Sequence, residues 1–363
     1  MKAYQLNAPA PIETNPLELT DLDLPEPGPG QVRIKVSTCG VCHTDLHTAE
    51  GEIQPPSLPI TLGHQVVGVV DAVGEKLSDE TTPNTRAEPG TNTRAEPGTN
   101  TRAEPGTNNI AAIGQRVGVA WLFSACGQCA PCLRGEENLC TNARFTGFHE
   151  NGGYAEYMLA DTRYVLPIPK GISNERAAPL LCAGIVGYRS LKKADIQPGE
   201  HVGLFGFGAS AHLCIQILLY WGCRVSVFTR AIAHQEHARE LGAAWAGSAG
   251  QNPDQVLDRA VIFAPSGGLV IRALETTRPG GTVAINAIHM SDIPAFPYKT
   301  LYGERTLRSV ANATYRDGQE FLALAAAAGL QATVSLYPLK DANLALQDLK
   351  ASRFNGEAVL KVN

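Results

Sequence analysis

Neither sign of charge dominates this chain. Lys and Arg number 30 against 35 Asp and Glu, a net of −5. That excludes the basic footprint of a nucleic-acid-binding protein and leaves no acidic tail. No stretch of 18 apolar residues occurs, so nothing reads as a membrane-spanning helix. The first ten residues carry one Lys and no long apolar run. No secretory signal peptide is expected, and a cytoplasmic enzyme acting on small molecules is the working class.

What is present is ordinary globular text: 363 residues, 44% hydrophobic and 18% charged, a length suited to two or three domains. Gly at 36 and Pro at 24 are high. Part of that excess comes from the unit Asn-Thr-Arg-Ala-Glu-Pro-Gly-Thr, which runs three times in succession over 84–107. Each copy holds one Arg and one Glu, no aromatic and no aliphatic larger than Ala, so the copies cannot build a core. They read as an in-frame duplication tolerated in a surface loop, because lengthening a loop costs little. Deleting them is expected to leave activity intact. The chain to read for fold is the remaining 339 residues, 363 less 24.

Two kinds of text follow. Up to about residue 180 the chain is rich in Gly, Pro and short β-branched runs. Val32-Arg33-Ile34-Lys35-Val36 alternates, as does much of 65–73, and both read as strands of an all-β, barrel-like region. From His201 the pattern changes. Strands are expected at 201–205, 224–228, 260–264 and 282–285, with helices at 209–221 and 235–241 between them. That alternation predicts an α/β class with a doubly wound parallel sheet. Helices at 319–329 and 344–352 and a strand at 358–362 form a tail that suits either region.

The 9 Cys are an odd number, and four cluster as Cys126-x2-Cys129-x2-Cys132-x7-Cys140. In an unsecreted protein such clustering reads as metal ligation rather than disulfides. Four thiolates this close can close a tetrahedral shell around zinc, and Gly127, Pro131 and Gly135 supply the turns. An iron–sulfur cluster, disulfides and free thiols are the alternatives. Zinc fits the spacing best, and such a site would be structural. A more dispersed set, Cys42, His64 and Cys182, would make a Cys2His zinc site with an open fourth position. Spacing alone does not select those three, since a lone His in β-type text is more often packed or solvated.

Gly206-Phe207-Gly208-Ala209-Ser210-Ala211 follows an expected strand and opens an expected helix. It is a G-x-G-x-x-A fingerprint: Gly206 for the tight turn, Gly208 for close approach of a pyrophosphate, Ala211 for helix–strand packing. The helix N-terminus offers N–H groups to the phosphates. The second strand should end in an acid that holds the ribose hydroxyl. Here it runs into Thr229-Arg230. Arg230 can instead meet a 2′-phosphate, which tips the balance slightly toward NADP(H) over NAD(H).

Taken together and in order, GVCHTDLH (40–47), GH (63–64), CGQCAPCLRGEENLC (126–140), APLLCAG (178–184) and GFGASA (206–211) resemble the zinc-dependent medium-chain alcohol dehydrogenases of the bacterial and yeast type. The resemblance covers the chain apart from the triplicated segment. It implies a GroES-like β-barrel catalytic domain over 1–182, a Rossmann cofactor domain over 183–308, and a return to the catalytic part over 309–363. It implies a catalytic zinc on Cys42, His64 and Cys182, a structural zinc on Cys126, Cys129, Cys132 and Cys140, and a homo-oligomer, tetramer or dimer.

The resemblance also implies roles. Zinc would lower the pKa of an alcohol in the open position. Thr44 would take the proton and pass it through the nicotinamide ribose to His47. Hydride transfer belongs to the cofactor. Asp45 would orient His64, His43 would approach the cofactor pyrophosphate, and Trp121 would line the substrate pocket. One departure stands out: the family commonly has Glu after the GH histidine, and here it is Gln65. The expected function is hydride transfer between NAD(P) and a primary alcohol or aldehyde. The alternatives are a reductase for bulkier aromatic or allylic aldehydes and a non-catalytic binding protein of the same fold. The intact zinc and relay positions argue against the last.

Overall fold

The computed structural model describes residues 1–75, 112–354 and 356–362. The triplicated segment 84–107, expected to be a tolerated surface loop, lies outside the described residues.

Lys2–Leu6 (β1) pairs antiparallel with Leu17–Asp21 (β2). The alternation at Val32, Ile34 and Val36 falls in a strand of 11 residues, Gln31–Val41 (β3), which buries these three side chains. β3 runs directly into a helix, His43–Glu50 (α1). The sequence reading expected only β-type text here. α1 is short and mostly polar, without a clear apolar stripe, and its start is fixed by an end cap. Cys42 is the N-cap residue, and the Asp45 carboxylate accepts its backbone N–H at 3.0 Å. Next come Ile60–Thr61 (β4), Val66–Val73 (β5), Arg116–Val119 (β6), Leu122–Ser124 (β7), the single helical turn Ala130–Leu133 (α2), Arg144–Phe145 (β8), Tyr157–Asp161 (β9) and Leu166–Pro167 (β10). β3 pairs antiparallel with both β5 and β9, β5 with β6, and β6 with β10.

Asn174–Ala177 (α3) and Ala183–Lys193 (α4) lead into the second text. His201–Phe205 (β11), Ala209–Tyr220 (α5), Arg224–Phe228 (β12), Ile232–Glu240 (α6), Trp245–Gly247 (β13), Leu257–Ile262 (β14), Gly268–Thr276 (α7), Thr277–Ile285 (β15), Tyr298–Leu301 (α8) and Thr306–Ser309 (β16) follow in order. The six strands form one parallel sheet in the order β13-β12-β11-β14-β15-β16. This is the doubly wound α/β sheet that the alternation predicts. Every residue of β11 is buried, as expected for a central parallel strand covered on both faces. The strand order reverses at β11, so the crevice beyond its carboxyl end is the place where such sheets bind ligands.

The tail holds Tyr315–Ala327 (α9), Val334–Pro338 (β17), Ala342–Lys350 (α10) and Glu357–Lys361 (β18). α9 starts ahead of the expected residue 319 because Thr314 and Asp317 form a capping box. β18 pairs parallel with β17 and antiparallel with β3. The last strand therefore lies beside the strand that leads into Cys42. One apolar cluster runs from Val67, Leu166 and Leu181 through Ile185 to Leu204 and Val227, so β-rich part and parallel sheet share a core. Each such side chain contributes about 1.5–3 kcal/mol by burial.

Candidate metal centres and cofactor site

Three element ends converge. Cys42 follows β3 and caps α1, His64 lies between β4 and β5, and Cys182 precedes α4. The Cys42 and Cys182 sulfurs are 3.9 Å apart. With a His64 ring nitrogen, the three ligand atoms all lie within 4.8 Å of one another. Thiolates held at about 2.3 Å in a tetrahedral zinc shell sit about 3.8 Å apart. His64 is buried, its Nδ1 is 3.1 Å from Asp45 Oδ1, and its Nε2 has no hydrogen-bond partner. An orphaned buried nitrogen costs about 1–3 kcal/mol. A lone pair left free while the other ring nitrogen is tied to a carboxylate is the form of a metal-ligating imidazole. These residues fit a zinc ion.

Asp45 organises the cluster. Its carboxylate also accepts the N–H groups of Cys42 and Gly63, at 3.0 and 3.1 Å, and the Tyr154 hydroxyl at 3.3 Å. The thiols share charge unequally. The Cys182 thiol, and then His64, hold Cys42 well below the usual thiol range; the same contact with Cys42, followed by burial, pushes Cys182 well above it. Burial lowers the affinity of His64 for a proton, but Asp45 and Cys42 outweigh it and bring the ring to about 10. Such a cluster holds protons that a divalent cation replaces.

The other residues singled out in the sequence surround these three. Thr44 is buried with Oγ1 3.8 Å from Cys42 Sγ. His47 is half-buried, with Nδ1 2.6 Å from Glu52 Oε2. His43 is exposed, its ring 6.2 Å from that of His47. Gln65 is fully buried. Trp121 meets the His64 ring edge-on at 4.9 Å and stacks on Phe145 at 5.1 Å. With Leu181, Cys182, Val186 and Tyr315 it lines an apolar pocket at the cluster.

The second thiol group is local. α2 carries Cys132 on a helical turn capped by Cys129, and Cys126 lies 4.0 Å from Cys132 and 3.5 Å from Cys140, sulfur to sulfur. All four ligand atoms lie within 4.8 Å of one another. Backbone N–H groups of Gln128 and Cys129 lower Cys126 to about 6, whereas burial and its neighbours push Cys132 up to about 12. An all-sulfur set of this compactness fits zinc and leaves no position for a substrate.

In the parallel sheet, Gly206 turns the chain from β11 into α5 at a φ of 94°, and a Cβ there would meet the Ala264 nitrogen at 2.8 Å. Only glycine suits that turn. A Cβ on Gly208 would meet nothing within 4 Å, so its backbone stands open to a ligand. Gly208 caps α5 without any side chain, and Ala211 packs fully buried behind it. Those free N–H groups fit a dinucleotide pyrophosphate. Thr229 is buried at the end of β12, and Arg230 is exposed with no ion-pair partner among the described residues.

Sequence reasoning passed over Tyr154, whose buried hydroxyl bonds Asp45, and Glu357, buried at the head of β18. Tyr154 lies in a Gly-rich stretch that carries no pattern. Glu357 stands before the apolar run Ala-Val-Leu, where a single acid reads as the exposed end of a strand.

Residues 28–170 match the model of the alcohol dehydrogenase GroES-like domain. A protein named "Probable alcohol dehydrogenase AdhA" from Mycobacterium tuberculosis is 40% identical, over 100% of this chain and 97% of its own. An alcohol dehydrogenase of Moraxella is 33% identical over 95% of each chain. Among solved structures, a crystal structure of an NAD-dependent alcohol dehydrogenase superposes with a TM-score of 0.81 at 25% identity, covering 100% of both chains. This chain, with its GroES-like part, its doubly wound sheet and full-length relatives of that name, belongs to the alcohol dehydrogenase family of oxidoreductases.

Proposed function

We propose that the protein is a zinc-dependent alcohol dehydrogenase that moves a hydride between NAD(P) and a primary alcohol or its aldehyde. One zinc belongs on Cys42, His64 and Cys182, a second on Cys126, Cys129, Cys132 and Cys140. The observation that carries this reading is His64 Nε2, buried, without a hydrogen-bond partner, beside two thiols 3.9 Å apart. When bound, zinc supplies a Lewis acid for the substrate oxygen, and the nicotinamide supplies or accepts the hydride.

The remaining work falls to side chains of this chain. Asp45 fixes the His64 ring and the Cys42 backbone. Thr44, buried beside Cys42, is the hydroxyl that takes the substrate proton. His47, one turn further along α1 and half exposed, releases it to solvent. The pocket beside Cys182 keeps water away from an apolar substrate tail. Its aromatic lining of Trp121, Tyr164 and Tyr315 also favours a second reading, reduction of bulkier aromatic or allylic aldehydes.

Gly206, Gly208 and Ala211 receive the cofactor pyrophosphate, with His43 near it. Thr229 and Arg230, with no acid at the end of β12, tilt the choice slightly toward NADP(H). In this reading 1–182 and 309–363 form the catalytic part and 183–308 the cofactor domain, supported by the pairing of β18 with β3. The enzyme acts in the cytoplasm as a homo-oligomer, dimer or tetramer. Among the described residues no helix is long and apolar enough to cross a membrane.

The test is a steady-state assay with NADPH and NADH over aliphatic and aromatic aldehydes, paired with metal analysis. Expected are turnover with both substrate classes to differing extents and about two zinc per chain. No cofactor oxidation with any aldehyde, or a stoichiometry near one, overturns the reading.

A further inference from the structure

Away from the three-ligand cluster and the glycine turn, an open polar cleft of about 520 Å³ lies where α4, the start of α9, β16 and the four-thiol lobe meet. Five cations line it against three carboxylates. The carboxylates are already taken. Asp317 Oδ2 accepts from Arg189 Nη1 at 2.6 Å and from the Thr314 N–H at 2.9 Å, and its Oδ1 accepts from Lys192 Nζ at 3.0 Å. Glu320 Oε1 accepts from Arg316 Nε at 2.7 Å, and its Oε2 accepts from Lys192 Nζ at 2.6 Å. Glu136 pairs with Arg134 at 3.0 Å, a residue outside the cleft.

Donors are left over. Lys193 closes α4 and Arg308 lies on β16, and neither side chain makes a hydrogen bond or ion pair with the described residues. Arg189 is 7% exposed; its Nη2 reaches Asn138 Oδ1 at 3.3 Å, and its Nε has no partner. A buried guanidinium with an unmet N–H is unfavourable, and cations of two separate elements gathered without counter-charge repel one another. An anion in the cleft relieves both. The cleft is also separate from the cofactor groove. Neither the glycine turn 206–211 nor Arg230 lines it, and about 15 Å of helix lies between Lys193 and the Cys182 end of α4.

We propose that this cleft binds a small phosphate-bearing anion. Arg189 is its fixed, buried charge, and Lys193 and Arg308 supply the N–H groups that hold the phosphate oxygens. A phosphate carries close to two charges and three terminal acceptor oxygens, so it meets several donors at once, which a monovalent ion such as chloride does not. The volume lies in the range of small-molecule sites, so a phosphate ester fits as well as the free ion. The site is independent of the reaction proposed above and lies outside both metal clusters.

The test is calorimetric titration of the full, zinc-loaded chain with inorganic phosphate and with glycerol 3-phosphate. Ionic strength is held constant with chloride, because exposed charge contacts weaken with salt, and each titration is run with and without saturating NADPH. Expected is saturable binding of about one anion per chain that survives NADPH. Arg308→Gln and Lys193→Gln should each weaken it about tenfold, and the double variant should remove it. Lys170→Gln, at an exposed lysine outside the cleft, should leave it unchanged. Both cleft side chains lack partners, so neither change disturbs the fold. Tighter binding of glycerol 3-phosphate marks an ester as the ligand, and equal or weaker binding marks the free ion; both support the site when they depend on Arg308 and Lys193. No saturable binding of either anion overturns the inference. So does binding that NADPH displaces, that Lys170→Gln weakens equally, or that is indifferent to Arg308→Gln and Lys193→Gln.

Discussion

Asp45 Oδ1 and His64 Nδ1 lie 3.1 Å apart, and the same carboxylate carries the backbone of Cys42 and Gly63. One side chain on α1 thus fixes two of the three converging ligands. Asp45→Asn keeps the shape and removes the charge. The expected result is zinc affinity lower by about tenfold or more at the three-ligand cluster, with the four-thiol cluster still loaded. Competition against a graded chelator series measures it, and unchanged affinity would reject the orienting role of Asp45.

The two thiol clusters should respond differently to loss of one ligand. Cys42→Ala is expected to lower zinc from about two to about one per chain and abolish turnover, with little change in melting temperature, since the surrounding strands bury their own core. Cys126→Ala is expected to lower zinc equally but to destabilise its lobe. Leu133 and Leu139 there are 58% and 47% exposed, so the segment has little apolar packing to hold it without metal. Metal analysis and thermal unfolding on both variants separate the roles. Equal melting curves would argue against a structural function for the second cluster.

How far the sequence alone reaches follows from where the information lies. The four-thiol cluster is legible because all its ligands fall in one short segment whose spacing already closes the shell. β11, α5 and β12 are legible because a buried parallel strand and the helix after it carry strong apolar patterns. Cys42, His64 and Cys182 are far apart, and nothing local marks them; only the family resemblance joined them before the fold did. α1 was missed because its eight residues lack periodicity and depend on the Cys42–Asp45 cap. Glu357 was missed because its burial is decided by the pairing of β18 with β3, a contact between the two ends of the chain that no local pattern encodes.

His212 carries a pH dependence into the parallel sheet. It is 3% exposed on α5, and neither ring nitrogen has a hydrogen-bond partner. Burial, with His237 nearby, lowers it to about 4 from the ordinary 6.5. The folded chain keeps this ring neutral, whereas the unfolded chain protonates it below 6.5. Stability is therefore lost as pH falls from 6.5 toward 4. At pH 5 the loss is about 2 kcal/mol for this one group. His212→Met, which fills the space with an adaptable apolar chain, should flatten the dependence. Denaturant unfolding at pH 7.5 and pH 5 measures it, and parallel slopes in variant and wild type would remove His212 as the cause.

Arg230 is the position that decides cofactor preference in the proposed reading. It is exposed at the end of β12, beside the buried Thr229, and no carboxylate among the described residues competes for it. A hydrogen bond between charged groups contributes about 1.5–3 kcal/mol, roughly tenfold or more in affinity. NADH lacks the phosphate and should not sense the change. Arg230→Ala is therefore expected to lower kcat/KM for NADPH by about tenfold, mainly through KM, and to leave NADH within about twofold. The readout is the ratio of the two specificity constants at fixed aldehyde and ionic strength, because an exposed charge pair weakens with salt. A ratio that stays constant, with both cofactors losing equally, would mean that Arg230 acts on the general field of the crevice and does not read the ribose phosphate.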